Sequence, residues 1–529
     1  MKDKRRSRTL SDQQIDAILE DMMRGELKLE EAEATIERLH AARSRVVPKL
    51  IAMLQHLAMG EPPAEEGTPP PALTVGNRSD MILILLGYLG GSAVLPSLQS
   101  LVQDTSVPDF LKVKVISLIY QLAPEEDIAG LMAMLHDSRT AVSANLREHL
   151  QQVTSPQDLA LWLEMTEMQL PPDLRVIMVE SIAELDDASA IPLLICLCYD
   201  QDDNVAVLAM DTAERFKDAR ALPSLEELAR LHPRSKVRSA ARKAADRLSI
   251  RASLVPQNQP SSPAPVHACY LTTMDGSGAQ MAFVARALND DLLTLVAVAF
   301  DDLDGIKECF GATIHKDQTD ELLEEWSEPG NSVVQVSYGQ CLATLDLALQ
   351  ATWSSGRPLP MPYVAWREMI EGGRPVEGVD IGFSALVVPA EKQPQLLSRS
   401  YELLFQDELE YWFIDADELG GLDDEYLHLI EEKGPAMGAI ALRQFLRHGV
   451  HQLVSHDFRG LVRARLQRLA PLLREIYEEE DVWQWAVVAA DALADDAPLP
   501  FEDHPFLLGL VAYSLENVLG EPIDWPAAI

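Results

Sequence analysis

The chain has 529 residues, 47% of them hydrophobic and 24% charged, with a formal net charge of −39. That length gives room for about three domains with sizeable cores, and the composition is that of a soluble globular protein rather than a disordered one. The charge disfavours broad contact with nucleic acid or an anionic membrane, since both need clustered Lys and Arg, and it leaves basic partners open. The five cysteines, Cys196, Cys198, Cys269, Cys309 and Cys341, show no CxxC spacing. They suggest neither a disulfide framework nor a zinc cluster, and a reducing cytoplasm fits them best.

The start, MKDKRRSR, is basic like the first segment of a signal peptide, but the following LSDQQIDAILEDMM holds no apolar stretch, so secretion is not expected. Residues 9–60 read as two or three helices, with Ser11 as an N-cap and Gly25 as a stop. Val47, Pro48 and Leu50 make this a candidate degenerate unit of the repeat described next. Five prolines in Glu61–Pro71 then mark an insertion, taken as 61–77.

From Leu86 to Leu248 the same apolar anchors return about every 32 residues. Leu89, Leu122, Val153, Leu185 and Phe216 lie 33, 31, 32 and 31 apart, and Leu248 follows 32 later. Six residues past the anchors stand Leu95, Ile128, Leu159, Ile191 and Leu222; nine past stand Leu98, Leu131, Trp162, Leu194 and Leu225. Eleven before the later anchors stand Leu111, Val142, Leu174, Val205 and Val237. Every one of these positions is apolar, so each unit predicts two helices with a buried stripe, stacked as a solenoid. The uncharged run Met81–Val102 is long enough for a membrane span, yet its apolar positions coincide with the repeat register, which predicts a buried helix pair.

Pro96, Pro192 and Pro223 sit seven residues past their anchors, where the first helical turn has no use for the missing N–H. With DDNVAVLAMDTAERF and ALPSLEEL around them, residues 78–253 resemble the HEAT family, and more narrowly the short HEAT-like repeats first described in phycobilin lyases. The resemblance implies an architecture that generally holds proteins, sometimes nucleic acids, and rarely catalyses. A lyase-like or chaperone-like assembly factor for a cofactor-bearing complex is the first alternative it suggests. The second is a nucleic-acid enzyme like the alkylpurine glycosylases built of such repeats. These need aromatic and acidic groups in a basic groove, whereas the only Trp in the array is Trp162, at a core position.

After VPQNQPSSPAP, read as a linker at 254–266, the period changes. HACYLTTMD, QMAFVARAL and LLTLVAVAF predict an antiparallel meander, and DDLDGIKECFG a helix closing it. TDELLEEW and VQVSYGQCLATLDLALQATW read as helices and Gly382–Ala390 as a further strand, which completes an α+β domain at 267–395. Residues 396–529, including SYELLFQDELEYWF, read as a helical domain with no recognised family. The fold class is therefore mainly α: a HEAT-like solenoid, a linker, and an α+β domain running into a helical bundle.

Chemistry is sparse. Asp275-Gly276-Ser277-Gly278 lacks the Lys and Ser/Thr of a phosphate loop and reads as a hairpin turn. His448, His451 and His456 with Asp457 lack the further ligands of a closed metal site and read as surface groups. No GxSxG occurs, and Cys196 and Cys198 read as packing residues, so no catalytic, cofactor-binding or metal-binding residue is assigned.

Charge says more. Residues 401–435 hold twelve acids against Lys433, a local net of −11; Arg230–Arg251 hold eight bases against Asp246, a net of +7. Arg459, Arg463, Arg465, Arg468 and Arg474 decorate a C-terminal helix. The sequence predicts a cytoplasmic, non-enzymatic scaffold or adaptor, without cofactor or membrane contact, for an unidentified protein partner. Arg234, Lys236, Arg238, Arg242, Lys243 and Arg247 are its partner-binding residues, and the chain's own acidic 402–432 segment is one candidate occupant.

Overall fold

A computed structural model describes residues 10–24, 29–58, 75–153, 155–185, 187–252, 264–327, 330–372, 386–433, 438–477 and 481–529. The chain divides into two compact units, Met1–Asn258 and Gln259–Ile529. Most of the insertion at 61–77 and of the linker at 254–266 lies outside the described residues.

The first unit is helical throughout its described residues. It runs α1 (Asp12–Arg24), α2 (Leu29–Ala41), α3 (Arg43–Ala58), α4 (Val75–Gly90), α5 (Leu95–Gln103), α6 (Asp109–Leu122) and α7 (Ile128–Met132). It continues with α8 (Ser138–Gln152), α9 (Pro156–Gln169), α10 (Pro172–Leu185), α11 (Ile191–Leu197), α12 (Asp203–Phe216), α13 (Leu222–Leu231) and α14 (Ser235–Ala252). Longer helices α4, α6, α8, α10, α12 and α14 pack in succession, and α3 packs on α4. The residue types explain the breaks. Pro96, Pro192 and Pro223 lie in the first turn of α5, α11 and α13. Asp202 caps α12 by accepting from the Asn204 and Val205 amides.

The register holds. Leu111, Val142, Leu174, Val205 and Val237 are buried, as are Leu98, Leu131, Leu194 and Leu225, while Trp162 is only half-buried. The anchors Leu89 and Leu248 are buried; Leu122, Leu185 and Phe216, at helix ends, are half-buried. Arg78–Gln103 is long and apolar enough to cross a membrane, but it turns at Gly91 (φ +51°) and is broken into α4 and α5. Ile82, Leu86, Leu89, Leu98 and Val102 are buried in the unit, whereas Ile84 and Tyr88 face outward.

Polar contacts repeat with the same period as the core. Lys49 Nζ meets Asp16 (2.5 Å), Arg45 meets Asp12 (3.3 Å), Lys114 meets Asp80 (2.9 Å), Lys236 meets Asn204 (2.8 Å) and Arg247 meets Glu214 (3.1 Å). The partners are 32 to 34 residues apart. Each such contact is worth at most about 1 kcal/mol at a surface, so the row aligns neighbouring helices that the core holds together.

The second unit begins with an antiparallel sheet: β1 (Val266–Thr272), β2 (Gln280–Ala287), β3 (Leu292–Asp301), β4 (Gly305–His315) and β5 (Val333–Val336), in the order β4-β3-β2-β1-β5. Helices α15 (Thr319–Glu325), α16 (Tyr338–Ser355) and α17 (Met361–Glu371) follow β4 in the chain, α15 before β5 and the other two after it. One sheet face packs on α16 and α17: Gly311 abuts the Trp366 ring, and Arg286 donates to Tyr338 Oη (3.0 Å). The other face gathers Phe283, Ala285, Leu293, Leu295 and Ala297, with Trp326 stacked on Phe283 at 4.7 Å. The chain then forms α18 (Gln393–Ser398), α19 (Leu422–Lys433), α20 (Ala439–Leu453), α21 (His456–Ile476), α22 (Val482–Ala492) and α23 (Pro505–Leu519), which enclose a core of Leu446, Leu466, Leu469, Ala486, Phe506 and Val511.

Several expectations change. DDLDGIKECFG is a hairpin turn and strand, not a helix. Asp301 Oδ1 accepts from the amides of Leu303 (2.9 Å) and Asp304 (2.5 Å), Gly305 takes φ +81°, and the chain returns as β4. The start of VQVSYGQCLATLDLALQATW is β5, because Ser337 ends the strand and caps α16. In the expected strand Gly382–Ala390, residues 382–385 lie outside the described residues and 386–390 pair with no strand; Val388 is buried in the helical core. SYELLFQDELEYWF is broken into 3-10 turns at Ser400–Phe405 and Asp407–Leu409. Sheet and helices on either side of 395/396 lie in the same compact unit, Gln259–Ile529.

Candidate partner-binding surface

The six basic residues of the array do not form one patch. Helix α14 buries Val237, Ala241, Ala244 and Leu248, and at 3.6 residues per turn this leaves two flanks. Lys236, Lys243 and Arg247 stand on the flank beside α12, in a groove of about 440 Å³ with Val207, Asp211, Ser239 and Ala240. Arg242 stands on the other flank beside α13, in a groove of about 360 Å³ with Glu226, Arg230, Asp246 and Ser249.

Four of the six have partners within the array: Lys236 and Arg247 meet Asn204 and Glu214, and Arg234 and Arg238 are held more tightly. Arg234 bridges Asp203 (2.7 Å) and donates to the Gln201 carbonyl (2.8 Å). Arg238 is half-buried and donates to the carbonyls of His232 (2.6 Å) and Pro233 (2.5 Å), satisfying the end of α13. Arg238 is therefore a structural tie. Arg238→Glu should cost about 1.5–3 kcal/mol, the range for losing hydrogen bonds to a charged group, with the result read in the urea midpoint. An unchanged midpoint would return Arg238 to the free surface.

The acidic 402–432 segment is largely solvent-facing. Glu402 pairs with Arg399 (2.7 Å) and Glu425 lies 3.6 Å from His448, while Asp407, Glu410, Asp415, Asp417, Glu418 and Asp424 are exposed. Glu408 is the exception, buried and accepting from Ser332 Oγ (3.0 Å) and Tyr477 Oη (2.7 Å).

The Asp275–Gly278 turn joins β1 to β2, with the Gly278 amide donating to the Asp275 carbonyl (3.0 Å). Its work is to seat the helices on the sheet. Arg465 of α21 donates to the carbonyls of Gly276 and Ser277 and bridges Asp302 (2.8 and 2.9 Å), which Arg468 also contacts. Trp412 Nε1 donates to the Met274 carbonyl (2.7 Å), and the Gly276 amide to the Tyr411 carbonyl (3.2 Å). A Cβ at Gly278 would lie 2.1 Å from Asp302 Oδ1, at a φ of +89°. Sequence reading listed two of these arginines as surface decoration and missed Asp302; the DLDG turn beside it was the available signal.

His448, His451 and His456 do not converge. Each is exposed and lies near a separate carboxylate: Glu425 (3.6 Å), Glu502 (3.5 Å) and Asp495 (3.6 Å). Among the described residues no three His, Cys, Asp or Glu side chains gather as a metal site would require. All five cysteines are buried and free. Burial pushes the Cys198 and Cys309 thiols far up, so neither is a nucleophile.

His504, at the start of α23, is fully buried; Nε2 contacts the Ala489 carbonyl at 3.1 Å, so that nitrogen carries the proton, and burial lowers its pKa to about 4. In the unfolded chain it would protonate near 6.5. Between those values the unfolded state binds more protons, so His504 withdraws stability as pH falls from about 6.5 to 4, by about 3 kcal/mol in all, and no further below. Melts of the wild type and His504→Gln should diverge over that interval; a difference independent of pH would contradict the assignment.

The first unit is thus an α-solenoid built of stacked helix pairs on a 32-residue period. Within it, residues 159–246 match the family of HEAT repeats, so this segment of the chain is a HEAT-repeat segment. No curated protein and no solved structure matches the chain.

Proposed function

We propose that this chain is a non-enzymatic scaffold whose HEAT-containing array holds a protein partner, and that it works in the cytoplasm without membrane contact. The observation that carries the reading is the continuous, pre-ordered layer of long helices α4 to α14 joined to a HEAT-repeat match; stacked arrays of this kind present extended surfaces whose shape is set before binding. Support comes also from the buried, free cysteines and from the break at Gly91 that divides the apolar Arg78–Gln103 run into two packed helices. The partner-binding role of Lys236, Lys243, Arg242 and Arg247 belongs to this proposal. Affinity capture by the full chain from its native host, with mass spectrometry, should return one or a few proteins in fixed proportion. A preparation that retains no protein, or that carries a coloured tetrapyrrole, would overturn the scaffold reading in favour of another.

A further inference from the structure

Along the long helices, one column of residues changes sign at its last member, in the groove between α12 and α14. In sequence, Glu180, Asp211 and Lys243 stand six residues past the buried Leu174, Val205 and Val237, and the first of these places, after Leu111, holds the buried Ser117. The row is neutral or acidic until the last member, which is a lysine. Glu180 is engaged by Arg139 (2.6 Å). Lys243 is exposed, and Lys236 and Arg247 stand on the same wall one to two turns away. A terminal helix needs a polar outer surface for solubility, but that need does not select one sign. In a chain of net charge −39, Lys236 and Lys243 over an apolar floor of Val207 and Ala240, with Arg247 beside them paired to Glu214 (3.1 Å), form a local field that survives screening only at contact range.

We propose that this groove binds an acidic segment of a separate protein, its carboxylates on Lys236 and Lys243 and a small apolar side chain on the Val207–Ala240 floor. The inference rests on the scaffold reading and names the partner's chemistry. Asp211 on the opposite wall confines incoming carboxylates to α14 and so sets the orientation. A nucleic-acid strand fits less well: the groove has three cations, an opposing carboxylate and no aromatic side chain on which a base could stack.

The test uses the full chain and a fluorescent oligo-glutamate peptide, read by anisotropy at low and moderate salt. The wild type should bind, and Lys236→Glu with Lys243→Glu should weaken binding roughly tenfold or more at low salt, with a smaller salt dependence. Negative charge added on the other flank, by Arg230→Glu with Ser249→Glu, should leave binding unchanged. Equal loss from both pairs, no binding by the wild type, or tighter binding of a single-stranded oligonucleotide would overturn the proposal. If the peptide fails while the full chain still captures proteins, the groove assignment falls and the scaffold reading stands; if both fail, both fall.

Discussion

Replacing Arg465 with alanine should destabilise the second unit by about 3–5 kcal/mol, the usual cost of removing one partner from a buried ion pair. Arg465 and Asp302 are each about 6% exposed, so the charge left on Asp302 would have only Arg468 as a counterion and little water. The carbonyls of Gly276 and Ser277 would lose their donor in the same step. Because these contacts join the DGSG turn to α21, the loss should also weaken cooperativity between sheet and helices. Urea unfolding followed separately by Trp fluorescence and far-ultraviolet circular dichroism would show the two probes parting. Arg465→Lys should recover only part of the stability, since an ammonium cannot hold both carboxylate oxygens and two carbonyls in one plane. A cost near zero would mean that the joint is held by packing around Trp412 alone.

The second large effect belongs to the array. Leu194 lies on α11 at zero exposure, and α11 packs on α12 and on the 3-10 turn at Ala219–Ala221. Leu194→Ala should cost about 2–5 kcal/mol from lost transfer energy and the cavity left behind. In a stacked array, neighbouring units depend on one another, so damage should spread from α11 to α10 and α12 before it reaches α4. Hydrogen exchange should show protection lost first in those helices. Trp162, at the equivalent place but half-buried, should tolerate replacement by leucine with a smaller loss; the reverse ranking would refute the burial pattern.

How far the sequence revealed this fold depends on where the information sits. The array was legible because every unit repeats the same test: Leu174, Val205 and Val237 each mark a buried helix stripe, and Pro192 and Pro223 each mark a helix start. In the second unit each element appears once. DDLDG carries a helix-like acidic start and also a hairpin turn; only the pairing of Ile306 with Phe300 and Cys309 with Val298 decides between them. Val333–Val336 likewise becomes a strand because β1 offers it an edge. The candidate surface was legible as charge but not as geometry. The positions of Arg238 and Lys243 on α14 give their flanks, but the open carbonyls at the end of α13 that capture Arg238 follow from the helix–helix turn.

The claim that the array is the binding surface can be tested by one measurement: site-specific photo-crosslinking of the full chain in native-host extract. The photoreactive residue would replace Ser239 or Asp211 on the array, and Asp424 on the second unit as the comparison; all three positions are exposed. The account predicts discrete polypeptide adducts of the same protein from Ser239 and Asp211, and none from Asp424. Adducts confined to Asp424, or no polypeptide adduct at either array position, would contradict it.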